Sequence, residues 1–164
     1  MNNTLYIVVP CYNEQEVLPE TSKRLKAKLE QLITAGKISE KSRVLFVNDG
    51  SKDRTWEIIS ALHQQSPLFC GVDLTRNRGH QNALLAGLMT AKDKADAVIS
   101  MDAALLDDVD AVDQMVDPFL DGVDLVYAVR SSRKTDCFFT RTIAKGFFRV
   151  YHTLAADKAF SCTL

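Results

Sequence analysis

Apolar and polar residues alternate along the chain in blocks whose lengths predict strands and helices in turn. Short, continuous apolar runs such as Thr4–Pro10 and Arg43–Val47 are typical of strands that are buried on both faces. The longer segments between them repeat apolar side chains every three or four residues, which is the period of a helix packed on one side. The pattern predicts five strands, at 4–10, 43–47, 68–74, 95–101 and 123–129, and five helices, at 16–35, 54–64, 80–92, 109–120 and 139–156.

This alternation of strand and helix predicts an α/β fold. Consecutive parallel strands are joined by right-handed helical crossovers, so the sheet should be mostly parallel with helices on both faces. Local signals agree with the helix limits, because Pro19 falls in the first turn of its helix, Gly36 follows its end, and Asp53 is a good N-cap. Polar residues follow several of the strands, and these residues should meet at the carboxyl edge of one sheet.

Length and composition place the chain among ordinary globular domains. With 164 residues, 46% hydrophobic and 25% charged, it is the size of one domain, 1–164, and its net charge of -1 does not favour nucleic acid as a partner. Cys11, Cys70, Cys137 and Cys162 show no spacing typical of zinc ligands. No signal peptide and no apolar run long enough to cross a bilayer are apparent, so the expected location is the cytoplasm.

The charge distribution is more informative than the net charge. Residues 91–129 carry ten acidic and two basic residues, whereas residues 130–164 carry seven basic and two acidic ones. Within the basic part, 138–156 mixes aromatic residues with Arg141, Lys145 and Arg149 at a spacing of four. This pattern is typical of an amphipathic helix on an anionic membrane surface, and equally of a packed helix with a solvated basic stripe.

The residues that follow the strands are suited to nucleotide binding. Beyond Pro10, a rigid turn would present the ring of Tyr12, which can stack on a base, and the carboxylate of Glu14, which can accept a hydrogen bond from a ribose hydroxyl or a base nitrogen. Asp49 follows the second strand, where it either accepts hydrogen bonds from a base edge or serves an Asp-Gly turn. Asp102 follows the fourth strand, where open α/β sheets bind ligands.

Together these segments resemble family 2 glycosyltransferases of the GT-A fold. The resemblance rests on Val8-Val9-Pro10-x-Tyr12-Asn13-Glu14, Val47-Asn48-Asp49-Gly50-Ser51-x-Asp53-x-Thr55, Leu74-x-Arg76-Asn77-x-Gly79 and Asp102. The further segments Arg76-Asn77-x-Gly79-His80-Gln81-x-Ala83 and Tyr127-x-Val129-Arg130-x-x-Arg133 resemble the branch that contains bactoprenol glucosyltransferases and dolichol-phosphate mannosyltransferases. The resemblance extends to about Arg149.

The resemblance implies a function and a set of site residues. The implied activity is the inverting, metal-assisted transfer of a hexose from a UDP- or GDP-sugar to a polyprenyl phosphate at the cytoplasmic face of a membrane. The implied nucleotide-sugar pocket is lined by Pro10, Tyr12, Glu14, Asp49 and Gly79. Asp102 and Arg76 are the implied catalytic residues. Asp102 would bind Mg²⁺ or Mn²⁺ shared with the donor diphosphate, with Asp107 or Asp108 as further candidate ligands.

The sequence departs from the family pattern in ways that leave two alternatives open. The family's Asp-x-Asp element reads Asp102-Ala103-Ala104, and a position that is commonly Gln in this branch is Leu106. Loss of a carboxylate weakens the predicted cation site, so one alternative is a nucleotide-sugar-binding domain with little or no turnover. The other is an unrelated doubly wound domain whose aspartates bind a different cation. The branch also has acceptor-site and membrane segments after this region, which this chain is expected to lack.

Overall fold

The computed structural model describes residues 3–104, 109, 111–129 and 159–163, with the backbone alone for 127–129 and 159–163. The chain divides into two compact units, 1–112 and 113–164, and the single domain predicted for 1–164 stays a prediction. The elements are β1 (Leu5–Cys11), α1 (Leu18–Thr34), β2 (Arg43–Asn48), α2 (Thr55–Gln65), β3 (Phe69–Asp73), α3 (His80–Ala91), β4 (Ala97–Ser100), α4 (Ala111–Leu120), β5 (Leu125–Val129) and β6 (Ala159–Thr163).

The first unit contains a four-stranded parallel sheet in the order β3-β2-β1-β4. The two strands in the middle, β1 and β2, are almost entirely buried, as their continuous apolar sequences predict. From β1 the chain adds β2 and β3 on one side and then returns to add β4 on the other side, so the strand order reverses at β1. Ligands bind at the carboxyl ends of the strands where such a reversal occurs. The predicted α/β architecture is therefore confirmed.

Helices cover both faces of this sheet. On one face, Gly87 of α3 packs so closely on Val8 and Val47 that a Cβ at this position would collide with both side chains. On the other face, Phe46 and Phe69 stack with ring centroids 5.9 Å apart. Gly71 of β3 lies on this second face, because an added Cβ would meet Ile59 Cγ2 of α2 at 2.7 Å. The predicted helices on both faces are thus confirmed.

Local sequence signals set the ends of α1. Pro19 lies in its first turn, where the missing N–H would have no helical partner in any case. Gly36 adopts φ +70° just beyond the helix and donates its N–H to the carbonyl of Ile33 at 2.9 Å. A residue with a Cβ would be strained in this conformation, so glycine suits the position.

Pro10 corrects one expectation. The sequence places it at the end of the first strand, but β1 continues to Cys11 and Pro10 is paired with Val47 of β2. The pairing of β1 with β4 ends at Val8, whose carbonyl accepts the N–H of Met101. The position of the missing N–H of Pro10 therefore faces the side where β4 has ended, so no ladder bond is lost.

The second unit contains β5, which pairs in parallel with β6. The predicted strand at 123–129 is confirmed as Leu125–Val129, whereas the strand Ala159–Thr163 was not predicted from the sequence. The helix predicted at 139–156, with its amphipathic segment 138–156, lies outside the described residues. None of the helices within the described ranges is both long and apolar enough to cross a membrane.

Candidate functional site

Four loops at the carboxyl edge of the four-stranded sheet form the candidate site. They are residues 12–17 after β1, 49–54 after β2, 74–79 after β3 and 101–104 after β4. The loops after β1 and β2 are adjacent because Asp49 donates its N–H to the carbonyl of Cys11 at 2.8 Å. The next pair is adjacent because Leu74 donates its N–H to the carbonyl of Asn48 at 2.9 Å. The predicted convergence of these polar loops is confirmed.

The loop after β1 carries three of the predicted pocket residues. Pro10 is buried in the strand, Tyr12 is 42% exposed and Glu14 is half-buried. The carbonyl of Glu14 accepts the N–H groups of Val17 and Leu18 at 3.2 and 3.0 Å, which starts α1. The exposed ring and the half-buried carboxylate are therefore only two residues apart at the edge of the sheet.

Side chains from 51–55 bind the backbone of this first loop. Ser51 Oγ accepts the N–H of Asn13 at 3.0 Å, and Thr55 Oγ1 accepts the N–H of Glu14 at 2.9 Å. Asp53 Oδ2 accepts the N–H of Gln15 at 3.1 Å. Three successive backbone N–H groups are thus bound by the side chains of residues 51, 53 and 55. We call residues 51–55 the Ser51–Thr55 segment.

Two side chains of the first loop bind the Ser51–Thr55 segment in return. Asn13 Oδ1 accepts the N–H of Lys52 at 2.9 Å, and Gln15 Oε1 accepts the N–H of Arg54 at 3.1 Å. Asp53 was predicted to be the N-cap of α2, but the N-cap is Arg54, one residue later. Asp53 Oδ1 nevertheless accepts the N–H of Thr55, the first residue of the helix, at 3.0 Å. The two loops are therefore joined by reciprocal hydrogen bonds.

Asp49 joins the second loop to the third. Its side chain is buried, and Oδ1 accepts the N–H of Arg78 at 2.6 Å while Oδ2 accepts the N–H of Gly79 at 2.9 Å. Gly79 has φ +87° and ψ 152°, a conformation open to glycine but strained for other residues, and it immediately precedes α3. The carboxylate thus holds the loop that carries Arg76, while the predicted contact between Asp49 and the base stays a prediction.

Gly50 lies directly against the same loop. Its φ is +64°, and a Cβ added to it would lie 2.5 Å from the backbone nitrogen of Asn77 and 2.6 Å from Cα of Arg76. Real Cβ atoms do not approach backbone atoms this closely. Glycine is required here both for its conformation and for the close approach of two loops.

Asp102 lies on the fourth loop, two residues after the end of β4. Its side chain is exposed, and Oδ1 accepts the N–H of Ala104 at 3.2 Å. The next residue, Ala103, is buried and its carbonyl accepts the hydroxyl of Thr21 from α1 at 2.8 Å. Asp102 thus sits on a loop that is anchored to α1 through the carbonyl of Ala103.

Burial and nearby acidic charges raise the pKa of two side chains at this edge, Glu14 and Cys11. Burial, followed by the charges of Asp102 and Asp53, raises the pKa of Glu14 above its ordinary value. Burial, followed by the charges of Glu14 and Asp102, raises the pKa of Cys11 to about 12. The Cys11 thiol therefore stays protonated near neutral pH and is not a nucleophile. A ligand that brings positive charge or hydrogen-bond donors would stabilise the ionised form of Glu14.

This raised pKa predicts that Glu14→Gln stabilises the free protein. A raised carboxyl pKa favours folding below the unfolded value, about 4.3 for Glu, and this benefit is lost as pH rises through the folded pKa. Above that pH the ionised Glu14 is a net cost, which glutamine removes. Thermal unfolding should therefore give a higher Tm for Glu14→Gln than for wild type at pH 7, and the gain should shrink towards pH 4.

The matched control is Glu16→Gln, which removes the same charge from an exposed position in the same loop. Its Tm should follow the wild-type value at both pH values. An equal Tm gain in both variants would show that total charge, rather than the environment of Glu14, is responsible.

The residues present are compatible with a cation held partly by a bound nucleotide. Among residues 3–104, 109 and 111–126, no group of three or more His, Cys, Asp and Glu side chains is arranged to hold a metal ion. Mg²⁺ bound to nucleotide phosphates, however, takes only one or two protein carboxylates and keeps several waters. Asp102, exposed and beside other acidic groups, fits this role. Asp107, Asp108 and Leu106 lie outside the described residues.

The structure thus brings most of the predicted site together and adds residues that were not predicted. Asp49 and Gly79 are in direct contact, and the backbone of Arg76 lies against Gly50 while its side chain is exposed. Asp102 is electrostatically coupled to Glu14. The residues given no site role from the sequence are Asn13, Gln15, Ser51 and Thr55, which join the loops. The signal that they carry is a polar side chain at every second position after a buried strand.

Comparison with known proteins shows the family and agrees with the fold. The sequence model of the family described as "Glycosyl transferase family 2" matches residues 6–161. The chain therefore belongs to glycosyltransferase family 2, and its fold is the GT-A fold that the sequence predicts.

Curated relatives of the chain carry glycosyltransferase names. The chain is 49% identical over 150 residues to the uncharacterized glycosyltransferase YkoT of Bacillus subtilis, covering 92% of this chain and 44% of that protein. It is 36% identical over 152 residues to a prophage bactoprenol glucosyl transferase homolog of Escherichia coli, covering 93% of this chain and 47% of that protein. The chain thus spans a little under half of the length of these relatives.

Solved structures share the fold at lower sequence identity. Glucosyl-3-phosphoglycerate synthase from Mycobacterium tuberculosis, in complex with UDP, matches with a TM-score of 0.62 at 20% identity, over 92% of this chain and 51% of that one. Staphylococcus aureus TarS 1-349, in complex with UDP-GlcNAc, matches with a TM-score of 0.54 at 17% identity, over 82% and 36%.

Proposed function

We propose that the chain is the donor-binding domain of a glycosyltransferase that moves a hexose from a nucleotide-sugar to a polyprenyl-phosphate lipid. The observation that carries the proposal is the joined set of loops at the sheet edge, which brings Tyr12, Glu14, Asp49, Gly79 and Asp102 to one place in a family 2 chain. The bactoprenol name of one relative supports a lipid acceptor. The UDP and UDP-GlcNAc complexes of the structural neighbours support a UDP-sugar donor, with a GDP-sugar as the alternative.

Each pocket residue has a role consistent with its environment. The exposed ring of Tyr12 stacks on the base, and Glu14 accepts a ribose hydroxyl hydrogen, which relieves the unfavourable burial of its charge. Pro10 forms part of the pocket floor. Asp49 holds the Arg78–Gly79 backbone and offers its remaining acceptor positions to the base edge, since a carboxylate has about four.

The proposed reaction is a single displacement with inversion. A phosphate oxygen of the lipid attacks the anomeric carbon, while the bond from that carbon to the donor diphosphate breaks and the nucleoside diphosphate leaves with the electron pair. Arg76 supplies a fixed positive charge near the leaving group. Asp102 would hold a Mg²⁺ or Mn²⁺ ion, which when bound neutralises charge that develops on the diphosphate. No nucleophilic side chain is required.

We place the reaction at the cytoplasmic face of a membrane, where a lipid acceptor would be found. The basic, aromatic pattern of 138–156 supports contact with an anionic surface through Arg141, Lys145 and Arg149.

Ala104 favours a second candidate function, donor binding with little turnover. Ala104 is exposed two residues after Asp102, where the family pattern has its second aspartate. A transfer assay with UDP-glucose or GDP-mannose and polyprenyl phosphate in vesicles tests both functions, with formation of lipid-linked sugar as the readout. We expect little or no product from wild type, and more product and tighter Mn²⁺-dependent donor binding from the double variant Ala104→Asp, Leu106→Gln.

The outcomes separate the two functions. Full activity of wild type, with no gain in the double variant, would mean that Asp102 with its existing neighbours already forms a working site. No product and no donor binding from either protein would contradict both functions.

A further inference from the structure

The backbone of residues 13–15 is held by three side chains from a distant part of the sequence. The three successive N–H groups of residues 13, 14 and 15 all donate to side chains of the Ser51–Thr55 segment, at 2.9–3.1 Å. Donors in a row would otherwise be free to bind water or a ligand. Here these three N–H groups join two loops, so they do not contact the nucleotide-sugar themselves.

Asn13 is at the centre of the junction, by which we mean the hydrogen-bonded contact between residues 13–15 and the Ser51–Thr55 segment. It has φ 55°, and it is the one residue other than glycine with positive φ among those that the structure describes. Asparagine tolerates this left-handed conformation better than most residues. Its N–H donates to Ser51 Oγ at 3.0 Å, and its Oδ1 accepts the N–H of Lys52 at 2.9 Å. One residue thus combines a left-handed backbone with two hydrogen bonds to the Ser51–Thr55 segment, one from its backbone and one to its side chain.

The residues on either side of Asn13 are proposed to contact the nucleoside, so this junction can affect nucleotide binding. Tyr12 precedes Asn13 and Glu14 follows it, and these are the residues proposed to contact the base and the ribose. A change of φ at residue 13 rotates the chain between them, so it would move one group relative to the other. Ordering a loop before binding removes an entropic cost from ligand association.

We propose that Asn13 is a positioning residue for donor recognition, and that the Ser51–Thr55 segment acts with it to hold Tyr12 and Glu14 in the geometry that the nucleoside requires. This inference rests on the proposed function and extends it to residues that do not contact the donor. It assigns Ser51, Asp53 and Thr55 to the support of the nucleoside half of the pocket, rather than to the diphosphate half at Asp102.

The electrostatics of Asp53 agree with this support role. Partial burial alone would raise the pKa of Asp53, but the hydrogen bonds from the hydroxyl and N–H of Thr55 and from the N–H of Gln15 outweigh it and lower the pKa. The carboxylate is therefore ionised when the junction is formed. Its acceptor oxygens remain available to the loop through the whole pH range near neutrality.

Three substitutions of Asn13 separate conformation from hydrogen bonding. Asn13→Asp keeps an acceptor oxygen and tolerance of positive φ, Asn13→Gly keeps only the conformation, and Asn13→Ala keeps neither. Calorimetric titration with UDP and GDP measures affinity, and hydrogen exchange at the amides of residues 13–15 and 52 measures the junction directly. Using 0.5 M NaCl as well as low salt controls for the charge added by aspartate.

Asn13→Asp should bind nucleotide within about threefold of wild type, Asn13→Gly at least about tenfold more weakly, and Asn13→Ala more weakly still, since a tenfold change corresponds to one lost hydrogen bond of typical strength. Amide exchange at 13–15 and 52 should increase in the same order. Gly36→Ala is the control for strain, because Gly36 also has positive φ but lies after α1 with nothing within 4 Å of the added Cβ. It should lower Tm and leave nucleotide affinity unchanged.

Equal nucleotide affinity in wild type and Asn13→Gly would overturn the positioning role alone. A loss of affinity in Gly36→Ala as large as that in Asn13→Ala would also overturn it, because general destabilisation would then explain both. Absence of UDP and GDP binding by wild type would overturn the proposed function and this inference together.

Discussion

Gly50→Ala is expected to bind the nucleotide roughly thirtyfold more weakly than wild type. The added Cβ would lie 2.5–2.6 Å from backbone atoms of Asn77 and Arg76, so the loop after β3 must move away. The positive φ of +64° adds strain of about 1–2 kcal/mol for a residue with a Cβ. A movement of this loop also breaks the hydrogen bonds from Arg78 and Gly79 to Asp49, which would leave a buried carboxylate without its donors.

The expected cost of the collision itself is about 1–3 kcal/mol, as for other overpacked sites. If about 2 kcal/mol of the combined cost falls on binding, UDP or GDP affinity drops roughly thirtyfold. Calorimetry measures the affinity, and hydrogen exchange at residues 78 and 79 reports the loop. Gly122→Ala is the matched control, with φ +90° and open space around the added Cβ, and it should not change affinity. Unchanged binding by Gly50→Ala would contradict the proposed joining of these loops.

Asp102→Asn is expected to remove the effect of divalent cations on donor binding. Asp102 is the residue that we propose to hold an ion beside the donor diphosphate, and an amide oxygen is a much weaker ligand for Mg²⁺ or Mn²⁺ than a carboxylate. A cation at a leaving group contributes several kcal/mol to the transition state. In the Ala104→Asp, Leu106→Gln protein, where transfer is expected, activity should therefore fall by roughly 10²–10³-fold, while the metal-independent part of nucleotide affinity is retained.

Asp93→Asn is the control for Asp102→Asn. Asp93 is exposed in the connection between α3 and β4, which precedes the strand whose far end carries Asp102, and its replacement makes the same change in charge. Titrations with UDP and GDP, each with and without Mn²⁺, should show a metal effect in wild type and Asp93→Asn only. An undiminished metal effect in Asp102→Asn would mean that other residues bind the ion.

Strand and helix positions in the first unit followed from the sequence because their patterns were strong. The apolar runs of β1 and β2 and the ends of α1 at Pro19 and Gly36 are local signals, and each was confirmed within a few residues. The order of the strands could not be predicted in this way. The spacing of apolar residues specifies which side of an element is buried, but not which strand lies beside it. The pairing of β5 with β6 was missed for the same reason, because it joins segments about 30 residues apart.

The site shows a similar division. The family resemblance pointed to Asp49, Gly79 and Asp102, and the structure brings their loops to one edge. The sequence did not reveal two hydrogen bonds between loops. Asp49 accepts the N–H of Arg78 in the loop after β3, and Asn13 accepts the N–H of Lys52 in the loop after β2. Such contacts depend on distance between loops far apart in sequence. A turn residue and a loop-joining residue have the same local signature, as the Asp-Gly alternative for Asp49 illustrates.

Nucleotide binding by the wild-type chain is the most direct test of the proposed function. The experiment is calorimetric titration with UDP and GDP, each with and without Mn²⁺, using CMP as a nucleotide without a diphosphate. We predict that UDP or GDP binds with measurable affinity, that Mn²⁺ strengthens the binding, and that CMP binds more weakly. If neither UDP nor GDP binds at any Mn²⁺ concentration, the assignment of the sheet edge as a nucleotide-sugar site is wrong.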